Sequence, residues 1–534
     1  MKKSKLPLRF SVFALVVLFG LYIGWQMGRA PSAPEPPEEV LTRKSTVKDP
    51  VLPGSRFADW QPTPEKPRFR YPEGAVEGEV VLTFKDRQAY LDYLAALEAA
   101  GLRPLGRIDA LGVLRLETSV LSRLKAPLDS VEASFNFRIS RPVPPEAARP
   151  VAMLNLAPYT LTASQISGAR EGDGSGVLVA VLDSGLSGHK TFEGVDIEEL
   201  VLAGEHLDDP GAEHGTAVAS IIGGKEGVAP GSSLLIVRVL DEDGLGHSFH
   251  AAEGIIHAVE SGAQIINLSL GLYENSALLR HAVQYADERG VLMVASAGND
   301  SYASLPYPAA YREVLAVTAV DARQRQAGFP NQSEEIDVAA PGVAILSAQG
   351  EGDSQLFTGT SAAAPFVSGT LAVLISRNPL RPAEQAVAEL KQSLNDSGAL
   401  GPDPLYGGGW IDWSRLGNTG QAALSDIALA DIHLPAAALP GTTVPVEILI
   451  QNRGNQWLSG GELTVELSGD SAPQTFTLRS TRPGEAFSQR IFAPVPPAHS
   501  SERLRIGAVV RIDEPGEDAV PENNFKIMEV QPLP

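Results

Sequence analysis

The sequence predicts an α/β fold, a parallel sheet with helices on both faces, preceded by a small α+β unit and followed by an all-β tail. Three observations carry this. Apolar runs such as Val177-Leu178-Val179-Ala180-Val181-Leu182 lack polar alternation and fit strands buried on both faces of a parallel sheet. Between these runs lie segments of small and apolar residues that read as buried helices. Beyond Leu416 the pattern changes to alternation, the mark of half-buried antiparallel strands.

At 534 residues the chain is too long for one core. Five segments are expected: 1–29, 30–74, 75–145, 150–420 and 424–534. The net charge of −21 argues against nucleic-acid binding, since such a chain repels phosphates. There is no cysteine, which excludes disulfides, thiolate metal sites, a cysteine nucleophile and lipid attachment through cysteine.

The first segment sets Lys2, Lys3, Lys5 and Arg9 before an uncharged run over 10–28. That run is long enough to cross a hydrocarbon layer of roughly 30 Å as a helix. The lysine-rich side stays in the cytoplasm, so the rest of the chain is placed outside it. A membrane anchor is expected in preference to a cleaved signal peptide, because the apolar core is long and Arg29-Ala30-Pro31-Ser32-Ala33 makes a poor cleavage site. Residues 30–74 form a Pro- and Glu-rich spacer.

In 75–145 the pattern is strand (79–84), helix (87–100, with Tyr90, Leu94 and Leu97 on one face), a hairpin over 106–118, a short helix (120–128) and a last strand (131–139). The order βαββαβ suggests a ferredoxin-like unit.

Residues 150–420 hold the chemistry. Asp183 ends the first buried run, at the carboxyl edge where α/β proteins place their sites. His214, in Glu213-His214-Gly215-Thr216, precedes or opens an apolar helix. His189, close behind the acid in sequence, reads as a structural turn residue. Residues 264–271 and 290–299 are two more buried strands, the second ending in Gly298-Asn299, an amide donor able to hold an oxyanion. Ser361 lies among small residues at a helix mouth, where unpaired N–H groups and the dipole favour developing negative charge. Gly359 lets a substrate backbone come close. Each residue alone also suits a packing or turn role. Ser361 is a catalytic candidate only in company with a base, an orienting acid and an oxyanion donor from elsewhere in the chain.

In order, Asp183-Ser184-Gly185, His214-Gly215-Thr216, Asn267-Leu268-Ser269-Leu270-Gly271, Ala297-Gly298-Asn299 and Gly359-Thr360-Ser361-Ala362-Ala363-Ala364-Pro365 resemble the motifs of subtilisin-like serine proteases over about residues 170–415. The resemblance implies a subtilisin-like fold and roles for Asp183, His214 and Ser361 as catalytic triad, with Asn299 in the oxyanion hole. It implies substrate binding by Leu268, Ser269, Leu270 and Gly271 and by Ala295, Ser296, Ala297 and Gly298. Residues 75–145 resemble the inhibitory propeptide of the same proteases. The order acid, histidine, serine and the sequence around Ser361 do not fit the α/β-hydrolase pattern. The family usually has Met at Ala362 and His at Phe366, neither of which moves protons. No cofactor is required. Some relatives bind structural calcium, but no run here identifies such a site; Asp208-Asp209 and Asp241-Glu242-Asp243 read as solvated faces.

The tail, 424–534, shows about seven strand candidates and resembles an immunoglobulin-like sandwich of the bacterial cell-adhesion type. The expectation is therefore an exported, self-processed serine endopeptidase. Its partners are polypeptide substrates, its own propeptide as inhibitor, and a membrane through the anchor. A non-enzymatic binding protein on a protease scaffold, or a protease that cuts only itself, are the rivals.

Overall fold

The computed structural model of the chain describes residues 71–121, 123, 131–143, 162–163, 167–204, 211–350, 352–417, 423–434, 438–468, 472–497, 503–513 and 518–530. The anchor and most of the spacer expected over 1–74 lie outside the described residues. Among the described residues no helix is long and apolar enough to cross a membrane.

The first elements are β1 (Glu79–Phe84), α1 (Arg87–Ala99), β2 (Gly106–Ile108), β3 (Val113–Glu117), α2 (Thr118–Leu121) and β4 (Val131–Ser134). Asp86 starts α1 by accepting from the N–H groups of Gln88 and Ala89. The four strands form one sheet in the order β2-β3-β1-β4. Strand alternation sends Val80, Leu82, Leu114 and Leu116 to one face, against Tyr90, Tyr93 and Leu97 of α1. Tyr93 thus takes the buried place expected for Leu94, which is only partly buried. Val81, Ile108 and Val113 point the other way, into a larger apolar cluster that contains Phe249.

The strand expected over 131–139 is two strands. Its first half, β4, stays with β1, while β5 (Arg138–Ser140) leaves the sheet and pairs with a strand of the next unit. The cause is Asn136, fully buried, whose Oδ1 accepts from Ser248 Oγ and from the N–H of Phe249, both at 3.1 Å. Those bonds turn the chain out of one sheet and into another. Part of the helix expected over 120–128 lies outside the described residues.

The central unit runs β6 (Leu178–Asp183), β7 (Ile197–Val201), α3 (Glu213–Gly223), β8 (Ser233–Arg238), β9 (Leu245–His247), α4 (Ser248–Glu260), β10 (Ile265–Leu268), α5 (Ala277–Asp287), β11 (Leu292–Ser296), β12 (Val314–Val320), β13 (Val338–Pro341), β14 (Ile345–Gln349), β15 (Asp353–Phe357), α6 (Thr360–Arg377), α7 (Ala383–Gln392), β16 (Leu394–Asn395), β17 (Trp410–Ile411) and α8 (Trp413–Gly417). Nine strands make its sheet, in the order β16-β17-β13-β12-β11-β10-β6-β8-β7. All neighbours are parallel except β16 with β17. Alternation along β6 splits the core as a doubly covered sheet requires. Ala180 and Leu182 join the cluster under α4 and α5, and Val179 and Val181 the cluster under α3 and α6.

The tail carries β18 (Ile427–His433), β19 (Thr443–Asn452), β20 (Gly461–Leu467), β21 (Gln474–Leu478), β22 (Ala486–Pro494), β23 (Leu504–Ile512) and β24 (Phe525–Val530). They form antiparallel sheets β18-β19-β22 and β21-β20-β23-β24. Residues of both sheets share one apolar cluster, which includes Val446, Ile448, Leu463, Val465, Ile506 and Ala508.

The contact between the first sheet and α4 contains partly buried histidines. Arg115 Nη1 lies 3.3 Å from His250 Nε2, and a guanidinium only donates, so this ring nitrogen carries no proton. Burial, with Arg115 and His247 nearby, pushes the His250 pKa down to about 4. Burial also lowers that of His247, against the pull of Glu79 and Asp241. A His250 released into water binds a proton below about 6.5, so the undocked form holds more protons until about pH 4. His250 therefore favours docking of residues 79–117 above this window and opposes it as pH falls through it. Hydrogen exchange on a Ser361→Ala chain checks this, with protection of β1 and β3 expected to drop across that range.

Candidate active site

Three adjacent parallel strands, β6, β10 and β11, deliver their carboxyl ends to one edge of the sheet. Asp183 is the last residue of β6 and is fully buried. Its Oδ1 accepts from the N–H of Ser184 at 2.7 Å and lies 2.8 Å from Nδ1 of His214. With the carboxylate as acceptor, Nδ1 carries the proton and Nε2 is left as the free base. His214 stands in the first turn of α3, its ring edge-on to Phe357 at 5.2 Å.

Ser361 is the second residue of α6 and is 1% exposed. Its Oγ and His214 Nε2 are both buried, and neither has a hydrogen-bond partner among the described residues. Gly359 precedes the helix at φ 148°, in a region that suits glycine. The helix is longer than the apolar run 370–375 that marks it, and it tolerates Pro365. A proline there cannot donate to the carbonyl four residues back, that of Ser361. Ser269 Oγ makes the replacement bond, donating to Ser361 O at 3.4 Å. Behind it Asn267 Nδ2 donates to Ser269 Oγ at 3.1 Å, and Ser368 Oγ donates to Asn267 Oδ1 at 2.9 Å. This buried chain ties β10 to the helix that bears Ser361. The motif reading took in Asn267 without giving it this role and did not single out Ser368. Their signal, polar residues in fully buried runs, was present.

Asn299 follows β11. Its Oδ1 accepts from both the N–H and the Oγ1 of Thr360, each at 3.0 Å, so its amide N must face the cleft. There Nδ2 donates to the carbonyl oxygen of Pro142 at 3.1 Å.

That carbonyl belongs to an extended strand filling the cleft. β5 pairs antiparallel with β9, Arg138 opposite His247 and Ser140 opposite Leu245. On its other side Ser140 exchanges both backbone bonds with Gly271, at 3.0 and 2.9 Å. The N–H of Arg141 donates to Gly244 O at 3.1 Å. Ile139 is 1% exposed, in the cluster that holds Val239, Leu240 and Leu270.

Of the residues expected to bind substrate, Gly271 meets this strand directly, and Gly298 lines a cavity of about 230 Å³ with Pro142. Leu268, Ala295 and Ser296 lie within the sheet, buried, as are Ser269, Leu270 and Ala297 beside its edge. The second rim, Gly244 to His247, escaped sequence reading because three residues are too few to show a period.

His189 accepts from the N–H of Thr191 through Nδ1 and takes no part in the site. Ala362 and Phe366 are fully buried, Phe366 against Trp413. Asp241 Oδ1 accepts from the N–H groups of Asp243 and Leu245 and so builds a turn. Asp208 and Asp209 lie outside the described residues. Among the described residues no three acidic or histidine side chains are grouped to hold a metal ion.

A family model described as the subtilase family, peptidase S8, matches residues 174–409. Subtilisin BL of Lederbergia lenta is 38% identical over 245 residues, covering 45% of this chain and 90% of that protein. An alkaline protease of Alkalihalobacillus alcalophilus is 33% identical over 359 residues, 65% of this chain and 91% of its own. A solved mutant of the protease domain of PatA is 34% identical and covers 47% of this chain and 98% of that one, at a TM-score of 0.43. Sheet, site edge and relatives together define a serine-type endopeptidase, a hydrolase of peptide bonds in polypeptides. The chain belongs to the subtilase family.

Replacing Ser269 by Ala leaves the Ser361 carbonyl and the Asn267 amide without their shared partner. The expected cost is about 1–3 kcal/mol of stability, measured by urea unfolding in a Ser361→Ala background.

Proposed function

We propose that Ser361, His214 and Asp183 act as nucleophile, general base and orienting acid, with Asn299 holding the oxyanion. The observation that carries this reading is the Asn299 amide already bonded to a peptide carbonyl, beside a histidine whose Nδ1 is tied to Asp183. In this mechanism Ser361 Oγ attacks the carbonyl carbon and His214 Nε2 takes its proton. The Asn299 N–H stabilises the charge that moves onto the oxygen. His214 then gives the proton to the leaving nitrogen, and water repeats the cycle on the acyl-enzyme. Asp183 keeps the imidazole in the one tautomer that leaves Nε2 free.

We further propose that the enzyme is made as an exported zymogen. Residues 75–145 act as inhibitor, since the strand that fills the cleft is continuous with that unit. The segment 1–29 tethers it, 30–74 spaces it, and the sandwich over 424–534 serves as a stabilising or surface-binding module. Cleavage between about residues 139 and 161 separates the protease from its tether.

The test is a fluorophosphonate probe together with turnover of labelled casein. Wild type is expected to label and to hydrolyse, and Ser361→Ala to do neither. Asn299→Ala is expected to lower kcat by about a hundred- to a thousandfold. Asp183→Asn should lower it by about ten thousandfold, because the imidazole then settles in the wrong tautomer. Equal labelling of wild type and Ser361→Ala would remove the reading.

A further inference from the structure

Residues 138–142 enter the cleft in one register, and the register selects one peptide bond. Along an extended strand the backbone groups of successive residues face opposite sides. Ser140 spends its N–H and C=O on Gly271, and Arg141 turns its N–H to Gly244 on the opposite rim. Pro142 therefore faces the Gly271 side again, and its carbonyl is the one that meets the Asn299 amide, at 3.1 Å. We infer that the bond from Pro142 to Val143 is the one this chain cuts in itself. The inference rests on the proposed role of Ser361.

The neighbouring bonds fail on chemistry as well as register. The run Arg141-Pro142-Val143-Pro144-Pro145 contains four bonds, and three of them lead into a proline nitrogen. Such a nitrogen carries the ring Cδ in place of hydrogen, which crowds the approach to the bond and restrains the residue before it. Only the bond from Pro142 to Val143 ends on a nitrogen that bears a hydrogen. Sliding the strand so that the Val143 carbonyl reached Asn299 would put Pro142 where Arg141 now donates to Gly244, and proline has nothing to donate. Sliding it the other way would lift Ile139 from its buried position. Val143 itself is 50% exposed.

The step balances without a further reagent. Ser361 Oγ bonds to the Pro142 carbonyl carbon and its proton passes to His214 Nε2. The bond to Val143 breaks, and that proton goes to the departing nitrogen. Water then cleaves the ester, leaving a carboxylate on Pro142, a new amino terminus on Val143 and a restored Ser361. No electrons are transferred.

The full chain is expressed as wild type, as Ser361→Ala and as Val143→Pro, and the earliest products are identified by intact mass and amino-terminal sequencing. Wild type is expected to yield a large fragment beginning Val143-Pro144-Pro145-Glu146, and Ser361→Ala to remain joined at that bond. Val143→Pro should slow this cut on the order of a hundredfold, the scale of a misplaced reacting bond. An early fragment starting elsewhere, from a chain that labels with fluorophosphonate and digests casein, overturns the assigned bond and leaves the protease reading intact. A wild-type chain that neither labels, digests casein nor cuts itself overturns both.

Discussion

The site depends on one constraint, that neighbouring strands of a parallel sheet all end at the same edge. β6, β10 and β11 are adjacent, so Asp183, the 269–271 segment and Asn299 arrive together although more than a hundred residues separate the first from the last. The other two groups come from helices on a single face. α3 and α6 share one apolar cluster, so His214 and Ser361 are delivered from the same layer. Packing carries the geometry here. The atoms at the centre are few, and the two apolar clusters on either face of the sheet hold the spacing.

Much of this was legible beforehand, because buried parallel strands announce themselves as unbroken apolar runs with polar residues at their ends. Asp183 and Asn299 were readable as strand ends in that way, and the helix mouth at Ser361 was readable from the small residues that crowd it. The tail was readable from alternation at Val444, Val446, Ile448 and Ile450. What escaped reading was set by contacts between distant segments. Nothing local in residues 131–139 says that the strand changes sheets. That depends on Asn136 finding Ser248 and Phe249 more than a hundred residues later. β9 escaped for a related reason, since three residues with a glycine in the middle carry too little pattern. Tyr93 displaced Leu94 from the core because a helix bearing both is turned by its neighbours, among them Phe84, whose ring lies 5.2 Å from that of Tyr93.

Polar bookkeeping explains the buried serines. A proline inside α6 leaves a carbonyl unanswered by the helix, and it is the carbonyl of Ser361. The linked side chains of Ser368, Asn267 and Ser269 answer it from the sheet. Helix and strand are thus joined by hydrogen bonds as well as by apolar packing. A buried polar chain of this kind, with each member satisfied, favours one arrangement over its near neighbours.

Gly215 and Gly185 mark where α3 rests against the end of β6. A side-chain carbon built on Gly215 would lie 2.2 Å from the Gly185 carbonyl oxygen, closer than atoms can come. Helix and strand therefore touch backbone to backbone, with only hydrogen between them. The reach from carboxylate to imidazole is gauged by that bare contact, so even a single methyl at this seam would pry the two apart while leaving every titrating residue in place.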